Sequence, residues 1–172
     1  MNYYTILNTP VTEYPSGRKI GIVSDVYIKE NSTEIIGIVA KNRSLIYQNR
    51  LFKKGDILYT GTNEVSVRGP GIKFLREPKE PGILSFKKLI GLKASSFDNN
   101  LYIGTVKDGF FDMEHGTLTE LLMGRGIADD LLNGRKILRA DSYKTENGVL
   151  RAKNPALISK SRRMFSLPLK KQ

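Results

Sequence analysis

The fold follows from one stretch, Gly17-Arg18-Lys19-Ile20-Gly21-Ile22-Val23-Ser24-Asp25-Val26-Tyr27-Ile28, because the chain repeats it 83 residues later. The second copy reads Asn100-Leu101-Tyr102-Ile103-Gly104-Thr105-Val106-Lys107-Asp108-Gly109-Phe110-Phe111. The same offset relates three further pairs of apolar residues: Leu7 and Ile90, Val11 and Ala94, Ile35 and Leu118. A repeated unit of this length is a small domain, so the sequence predicts two homologous domains in tandem.

Both repeats have the pattern of β structure. Short runs rich in Ile, Val, Tyr and Thr alternate with turn residues about every ten positions, which is typical of a sandwich or small barrel. The strands predicted in the first repeat lie near Tyr3–Val11, Lys19–Ile28, Thr33–Lys41, Asp56–Tyr59 and Val65–Arg68. One short helix is predicted at Ile127–Leu132, before Asn133-Gly134. The expected class is therefore all-β, with two tandem units that are each a sandwich or a small β-barrel, and at most one or two short helices.

Three glycines interrupt the apolar strand patterns, namely Gly21, Gly37 and Gly104. A glycine inside a strand marks a bulge, a bend or a close approach of backbone. Closing a small barrel needs such bends, so these glycines are predicted to be structural.

The Pro/Gly density divides the chain into four segments. Residues 1–70 form the first predicted domain, 71–86 a linker, 87–153 the second domain and 154–172 a tail. The linker carries the cluster Glu77-Pro78-Lys79-Glu80-Pro81-Gly82, together with apolar residues on either side. We therefore expect it to lie against one of the domains.

The net charge of +11 is concentrated in the tail. Residues 1–80 carry 12 basic and 8 acidic side chains, and residues 81–150 carry 9 of each. Residues 151–172 carry 7 basic side chains and no acidic one. Five of them are the predicted contacts to a partner or polyanion: Lys160, Arg162, Arg163, Lys170 and Lys171.

The composition excludes several classes of chemistry. The chain has no cysteine and one histidine, so it has no thiolate nucleophile, no disulfide and few candidates for a general base. It shows no phosphate-cradling loop and no nucleophile elbow. We therefore expect no enzyme and no cofactor. Without a signal-like start or a long apolar run, the expected location is the cytoplasm.

Asp25 and Asp108 are the repeated acids, and two interpretations stand. Each carboxylate binds a cation or a basic group of a partner, or each accepts backbone N–H bonds at a strand end or bulge. The second is favoured because the residue occurs identically in both copies. A hard-cation site built from Asp108, Asp112 and Glu114 beside His115 is a weaker possibility, since the first repeat has no equivalent cluster.

The repeated unit, Gly-x-x-Ile-Gly-x-Val-x-Asp followed by a turn and a strand such as Ile35–Val39, resembles the PRC-barrel family. That family includes a domain of the photosynthetic reaction-centre H subunit. A related barrel forms the C-terminal domain of the RimM-type ribosome maturation factor. The resemblance covers roughly Tyr3–Arg68 and Lys88–Lys153. It implies small all-β barrels that act as adaptors or assembly modules.

Three functions therefore stand as hypotheses. The first is a non-catalytic protein-interaction module whose partner is an unidentified protein, with self-association possible. The second is an RNA- or ribosome-associated factor that binds through the basic tail. The third is a peripheral protein at a membrane surface, held by the same tail.

Overall fold

The computed structural model describes residues 1–42, 49–74, 81–127, 130, 134–153 and the backbone of 159–160. These residues are mostly in strands, which form two sheets. Two short helices, α1 (Tyr3–Ile6) and α2 (Phe86–Leu89), precede equivalent strands in the two repeats. With four residues each, these helices are too short to cross a membrane, and no described helix is long and apolar enough to do so. The predicted β class is confirmed.

The first sheet contains eight strands. They are β1 (Pro10–Tyr14), β2 (Arg18–Lys29), β3 (Ile35–Lys41), β4 (Asn49–Lys53), β5 (Ile57–Thr60), β6 (Val65–Arg68), β7 (Ile72–Phe74) and β8 (Ile83–Ser85). Their order in the sheet is β5-β6-β1-β2-β3-β4-β7, and β8 pairs with β2 outside this path. The pair β1 and β6 is parallel, and the other pairs are antiparallel.

The second sheet repeats this order strand for strand. Its strands are β9 (Lys93–Ser96), β10 (Tyr102–Asp112), β11 (Thr117–Gly124), β12 (Lys136–Arg139), β13 (Tyr143–Glu146), β14 (Val149–Ala152) and β15 (Ser159–Lys160). They follow the path β13-β14-β9-β10-β11-β12-β15, again with one parallel pair, β9 and β14. Within the described ranges both paths are open, so the predicted closure into barrels is not seen.

Bulges occur at equivalent places in the two long hairpins. The pairing of β2 with β3 shifts between Val23 and Asp25, and that of β10 with β11 shifts between Val106 and Asp108. A bulge places an extra residue on one strand and redirects the side chains beyond it. Both repeated aspartates therefore lie at the bulge of their own repeat.

The two sheets share one hydrophobic core. A single cluster of buried side chains includes Val26 and Ile38 from the first sheet with Val106 and Leu121 from the second. The hairpin tips also meet, since Glu34 pairs with Thr117, its own equivalent 83 residues on. The Ile35 N–H donates to the Gly116 carbonyl and the Leu118 N–H to the Thr33 carbonyl, so the bonds between the tips are reciprocal. Glu34 and Thr117 therefore lie on opposite sides of a local two-fold axis that relates the two tips.

Two sequence predictions need correction. The strand expected near Tyr3–Val11 is wrong over Tyr3–Ile6, which is helical because the Asn2 side chain accepts the Thr5 N–H at 2.8 Å and caps the turn. The segment 71–86, expected as a linker, contains β7, β8 and the first residue of α2, and both strands belong to the first sheet.

The predicted helix at Ile127–Leu132 is described only in part. Ile127 and Asp130 have helical backbone, and the Asp130 N–H donates to the Gly126 carbonyl at 2.8 Å. The other residues of that range lie outside the described part of the chain.

The three strand glycines lie where backbone approaches closely. A Cβ atom at Gly37 would overlap the Phe52 carbonyl oxygen, and one at Gly21 would overlap that of Lys41. At Gly104 a Cβ atom would lie 3.1 Å from the Gly124 carbonyl oxygen. Neighbouring strands therefore leave little or no room for a side chain at these positions.

Gly37→Ala is expected to destabilise the protein by about 1–3 kcal/mol, because backbone on the neighbouring strand must move to admit the methyl group. Gly55→Ala is the control, since no atom lies within 4 Å of a Cβ atom there. Urea denaturation of both variants measures the difference. Equal stability of the two variants would contradict the close packing of β3 on β4.

Candidate functional site

Asp25 is buried at the junction between the repeats, with 6 % of its surface exposed. Its Oδ1 atom accepts hydrogen bonds from the Val26 N–H at 2.8 Å and the Tyr3 hydroxyl at 3.0 Å. The Lys87 N–H donates to the same oxygen at 3.2 Å, and the Ser85 hydroxyl donates to Oδ2. Two of these four donors belong to the start of the second repeat.

Asp108 occupies the equivalent position in the second repeat and is 8 % exposed. Its Oδ1 atom accepts the Gly109 N–H at 2.8 Å and the Tyr3 N–H at 3.1 Å. The second donor is the first residue of α1, 105 positions away in the sequence. Each aspartate therefore binds the opening segment of the other repeat.

Backbone pairing accompanies this exchange. Ser85 pairs with Tyr27 in the first sheet, and its equivalent Asn2 pairs with Phe110 in the second. Next to Asn2, the Met1 ammonium donates to the Phe111 carbonyl at 2.8 Å, and the Phe111 N–H donates to the Met1 carbonyl at 2.7 Å. Each repeat therefore gives its first residues to the sheet of the other.

Aromatic rings fill the space between the two aspartates. The Tyr3 and Phe86 rings, which are equivalent, lie 4.8 Å apart, and Phe86 meets Phe111 edge-on at 4.9 Å. Gly109 makes room for Phe86, since a Cβ atom there would overlap the ring. The junction is therefore asymmetric: of the two equivalent rings, only that of Tyr3 carries a hydroxyl group, which reaches Asp25.

Burial raises the pKa of both carboxyl groups above the usual range for aspartate. For Asp25 the loss of hydration outweighs its hydrogen bonds to Ser85, Tyr3, Val26 and Lys87, all of which lower the pKa. For Asp108 burial again exceeds the effect of the backbone donors. Burial and the Asp25 carboxylate also raise the pKa of the Tyr3 hydroxyl. Tyr3 therefore stays protonated and acts as a donor.

The carboxylates considered for a cation site do not come together. Asp108 is engaged with α1, whereas the exposed Asp112 binds its own turn. Asp112 accepts the His115 N–H at 2.9 Å and lies 2.8 Å from His115 Nδ1, which together lower the Asp112 pKa. Among the described residues, no group of three or more His, Asp or Glu side chains could hold a metal ion.

The predicted tail contacts lie almost entirely outside the described residues. The backbone of Lys160 belongs to β15 and pairs with Lys136 of β12. Arg162, Arg163, Lys170 and Lys171 fall beyond the described part of the chain.

Two grooves flank the local two-fold axis at the meeting hairpin tips. The groove of the first repeat has a volume of about 690 Å³, and Glu34, Ile36, Lys53 and Gly55 are among its lining residues. The groove of the second repeat, about 420 Å³, is lined by the equivalents Thr117, Thr119, Arg139 and Asp141. Arg139 corresponds to Lys53, although the offset is no longer 83, because Arg139 pairs with Glu120 as Lys53 pairs with Gly37. Neither groove is predicted by the sequence. The sequence indicates only that the two places differ, because aligned positions diverge there, as Ile36 and Thr119 do.

No protein-family model matches this chain. No curated protein matches it either.

Tyr3→Phe is expected to cost about 1.5–3 kcal/mol of stability, because it removes a buried hydrogen bond to a charged group and leaves Asp25 less well satisfied. Tyr4→Phe is the matched control, since Tyr4 is 55 % exposed. Guanidinium denaturation measures both variants. A loss no larger than that of the control would show that the Tyr3–Asp25 bond does not hold the junction.

Asp25→Asn is expected to change how stability depends on pH. Because burial raises the folded pKa of Asp25, protonation of this group favours folding. Its contribution is fully present below the usual aspartate value of about 3.9 and is lost as the pH rises through the raised folded pKa. The free energy of unfolding of the wild type, relative to Asp25→Asn, should therefore increase as the pH falls from 7. A relative decrease over this range would contradict the raised pKa.

Proposed function

We propose that the chain is a non-catalytic protein-interaction module built of two PRC-barrel-like units. The proposal rests on what the two buried aspartates bind. Asp25 and Asp108 are the only buried charged side chains among the described residues, and both bind the opening segment of the other repeat. The two repeated carboxyl groups thus hold the two sheets together and are not left free for chemistry at an exposed site.

The PRC-barrel-like part of the proposal rests on the repeat. Both copies of the Gly-x-Val-x-Asp pattern form the long second strand of a sheet, with a bulge before the aspartate. The strand order is the same in both sheets, including one parallel pair in each. A common strand order supports a common fold for the two repeats, although fold alone does not define function.

Exposed apolar side chains suit a protein that binds other proteins. Several large ones are at least half exposed: Tyr4, Tyr14, Tyr59, Ile72, Phe97, Leu101 and Ile127. Tyrosine, phenylalanine and isoleucine on a rigid surface provide contact area at low entropic cost. We also propose the cytoplasm as the location, since a chain without cysteine needs no oxidising compartment.

A second candidate is RNA binding through the basic tail. It is favoured by one observation, the 7 basic and no acidic side chains of residues 151–172. Phosphate contacts of this kind weaken as salt rises, because binding releases counterions. An anionic membrane surface would show the same salt dependence.

Affinity capture with the full chain from a lysate of its source organism, with and without nuclease, tests the proposal. The control variant replaces Lys160, Arg162, Arg163, Lys170 and Lys171 with glutamine. A protein module predicts one stoichiometric partner, resistant to nuclease and moderate salt, captured equally by the control variant. If the wild type captured RNA or vesicles and the control variant did not, the result would contradict the protein-interaction module. It would support binding of RNA or a membrane surface through the basic tail.

A further inference from the structure

The second sheet carries a row of four paired residues across strands β10, β9, β14 and β13. The row consists of Tyr102, Ser95, Arg151 and Lys144. Residues paired across neighbouring strands project from the same face of a sheet. The residues next to them in their strands are buried in the core: Ile103, Ala94, Leu150 and Tyr143. Because successive residues of a strand point to opposite faces, the row faces away from the core.

Two aromatic rings are exposed on this outer face. Tyr102 is 39 % exposed, and Phe97, which directly follows β9 and continues its alternation, is 60 % exposed. The Tyr102 hydroxyl lies 2.8 Å from Thr105 Oγ1, and the Arg125 guanidinium lies over the ring at 5.9 Å from its centroid. Arg125 is itself fixed by hydrogen bonds to two carbonyl groups of β10. A ring held in this way loses little entropy when a flat group stacks on it.

Unpaired cations surround these rings. In the described part of the chain, the outward positions of β9, β13 and β14, with the residue after β14, carry four cations and one acid: Lys93, Lys144, Arg151 and Lys153 against Glu146. None of the four cations forms an ion pair with another described residue. Arg151 donates to two neutral groups, Ser95 Oγ at 2.9 Å and the Asn100 side chain, so its charge is not compensated. The face is therefore positive, although residues 81–150 carry 9 basic and 9 acidic side chains.

The corresponding face of the first sheet is less basic. Its row consists of Lys19, Thr12, Ser66 and Tyr59. Ser66 stands where the second sheet has Arg151, and Glu64 binds the Thr12 hydroxyl. The outward positions of β1, β5 and β6 carry one cation, Arg68. The shared fold therefore does not require the cations of the second sheet, and the first sheet offers an exposed ring, Tyr59, as a control.

Exposed rings beside unpaired cations match a flexible polyanion that carries flat groups. Lysine is depleted in protein–protein interfaces, whereas it supplies three of the four cations here. Single-stranded nucleic acid offers bases that stack on aromatic side chains and phosphates that bind Lys and Arg. Four adjacent strands span about 14 Å, and aromatic residues on a sheet of this width stack two or three bases. Residues 154–172 have no acidic side chain, so the chain's own tail does not complement this face.

We propose that the outer face of the second sheet binds single-stranded nucleic acid. Bases stack on Tyr102 and Phe97, and phosphates contact Arg151 and Lys144. This binding goes beyond the protein-interaction module and differs from RNA binding through the basic tail, because the residues that carry it belong to the second sheet.

Fluorescence anisotropy with a labelled single-stranded RNA of about ten nucleotides tests the proposal. The five tail cations are replaced with glutamine throughout, which removes binding through the tail. We expect this full-length parent to bind the RNA, and single-stranded DNA of the same sequence to compete. Polyphosphate of equal charge should compete at least about tenfold less well, because it cannot stack. No binding, or equal competition by polyphosphate, would overturn the inference.

Substitutions of Tyr102 test the stacking. Tyr102→Leu is expected to weaken RNA binding at least about fivefold, the loss of one stacked base. Tyr102→Phe keeps the ring and should bind as the parent does. Tyr59→Leu removes an exposed ring from the first sheet and is the matched control. An equal loss in Tyr102→Leu and Tyr102→Phe, or in Tyr102→Leu and Tyr59→Leu, would overturn the assignment.

The salt dependence tests the phosphate contacts. Arg151→Gln/Lys144→Gln should reduce the slope of log affinity against log salt by about 1.4, because each phosphate contact to a single strand contributes about 0.7. Lys53→Gln/Lys73→Gln removes the same charge from exposed positions of the first sheet and should leave the slope unchanged. Equal slopes in the two double variants would show that overall charge and not this face attracts the RNA, which would overturn the inference.

The outcomes also separate this inference from the proposed function. A protein partner that Tyr102→Leu still captures, with RNA binding lost, would leave the module and the nucleic-acid face as independent properties. RNA binding that needs the intact tail would overturn the nucleic-acid face and support the second candidate function.

Discussion

The structure depends on the binding of each repeated aspartate to the opening segment of the other repeat. Burying a carboxylate costs several kcal/mol, and hydrogen bonds to a charged group return about 1.5–3 kcal/mol each. The raised pKa values of Asp25 and Asp108 show that the loss of hydration outweighs the gain from their donors. These bonds therefore determine how the repeats are placed, whereas the shared apolar core supplies most of the stability.

This exchange, together with the shared core, joins the two sheets into one body. The first residues of α1 bind the second sheet, and residues 83–85 extend the first. The meeting of Glu34 and Thr117 places the local axis between the hairpin tips, with one groove on each side. The two sheets thus carry corresponding surfaces that differ in charge and polarity.

Much of the fold could be predicted because local sequence patterns indicate its strands and turns. The alternation around Ile20–Ile28 indicates a strand, and Pro15 with Gly17, whose φ is 66°, indicates the turn before it. Because the sequence repeats, the strands and turns predicted for the first copy are also predicted for the second. Interpretation of Asp25 and Asp108 as acceptors at a bulge followed from the same repetition.

The rest could not be predicted, because it depends on contacts between distant residues. Helix α1 has four residues, too few to show helical periodicity, and its position is set by Asp108. The exchange joins residues 105 positions apart, and nothing local indicates it. The groove needs β7 and β8 on the first sheet, and the Pro/Gly density of that segment indicated a linker instead.

Hydrogen exchange in the native state, measured at increasing urea concentrations, tests the shared junction most directly. Because both sheets contribute to one core, the slowest amides of β2 and β3 and those of β10 and β11 should converge on a single free energy of opening. If one sheet opened at a much lower free energy while the other stayed protected, the repeats would be independent domains. The reciprocal binding of Asp25 and Asp108 would then be a contact and not the basis of the fold.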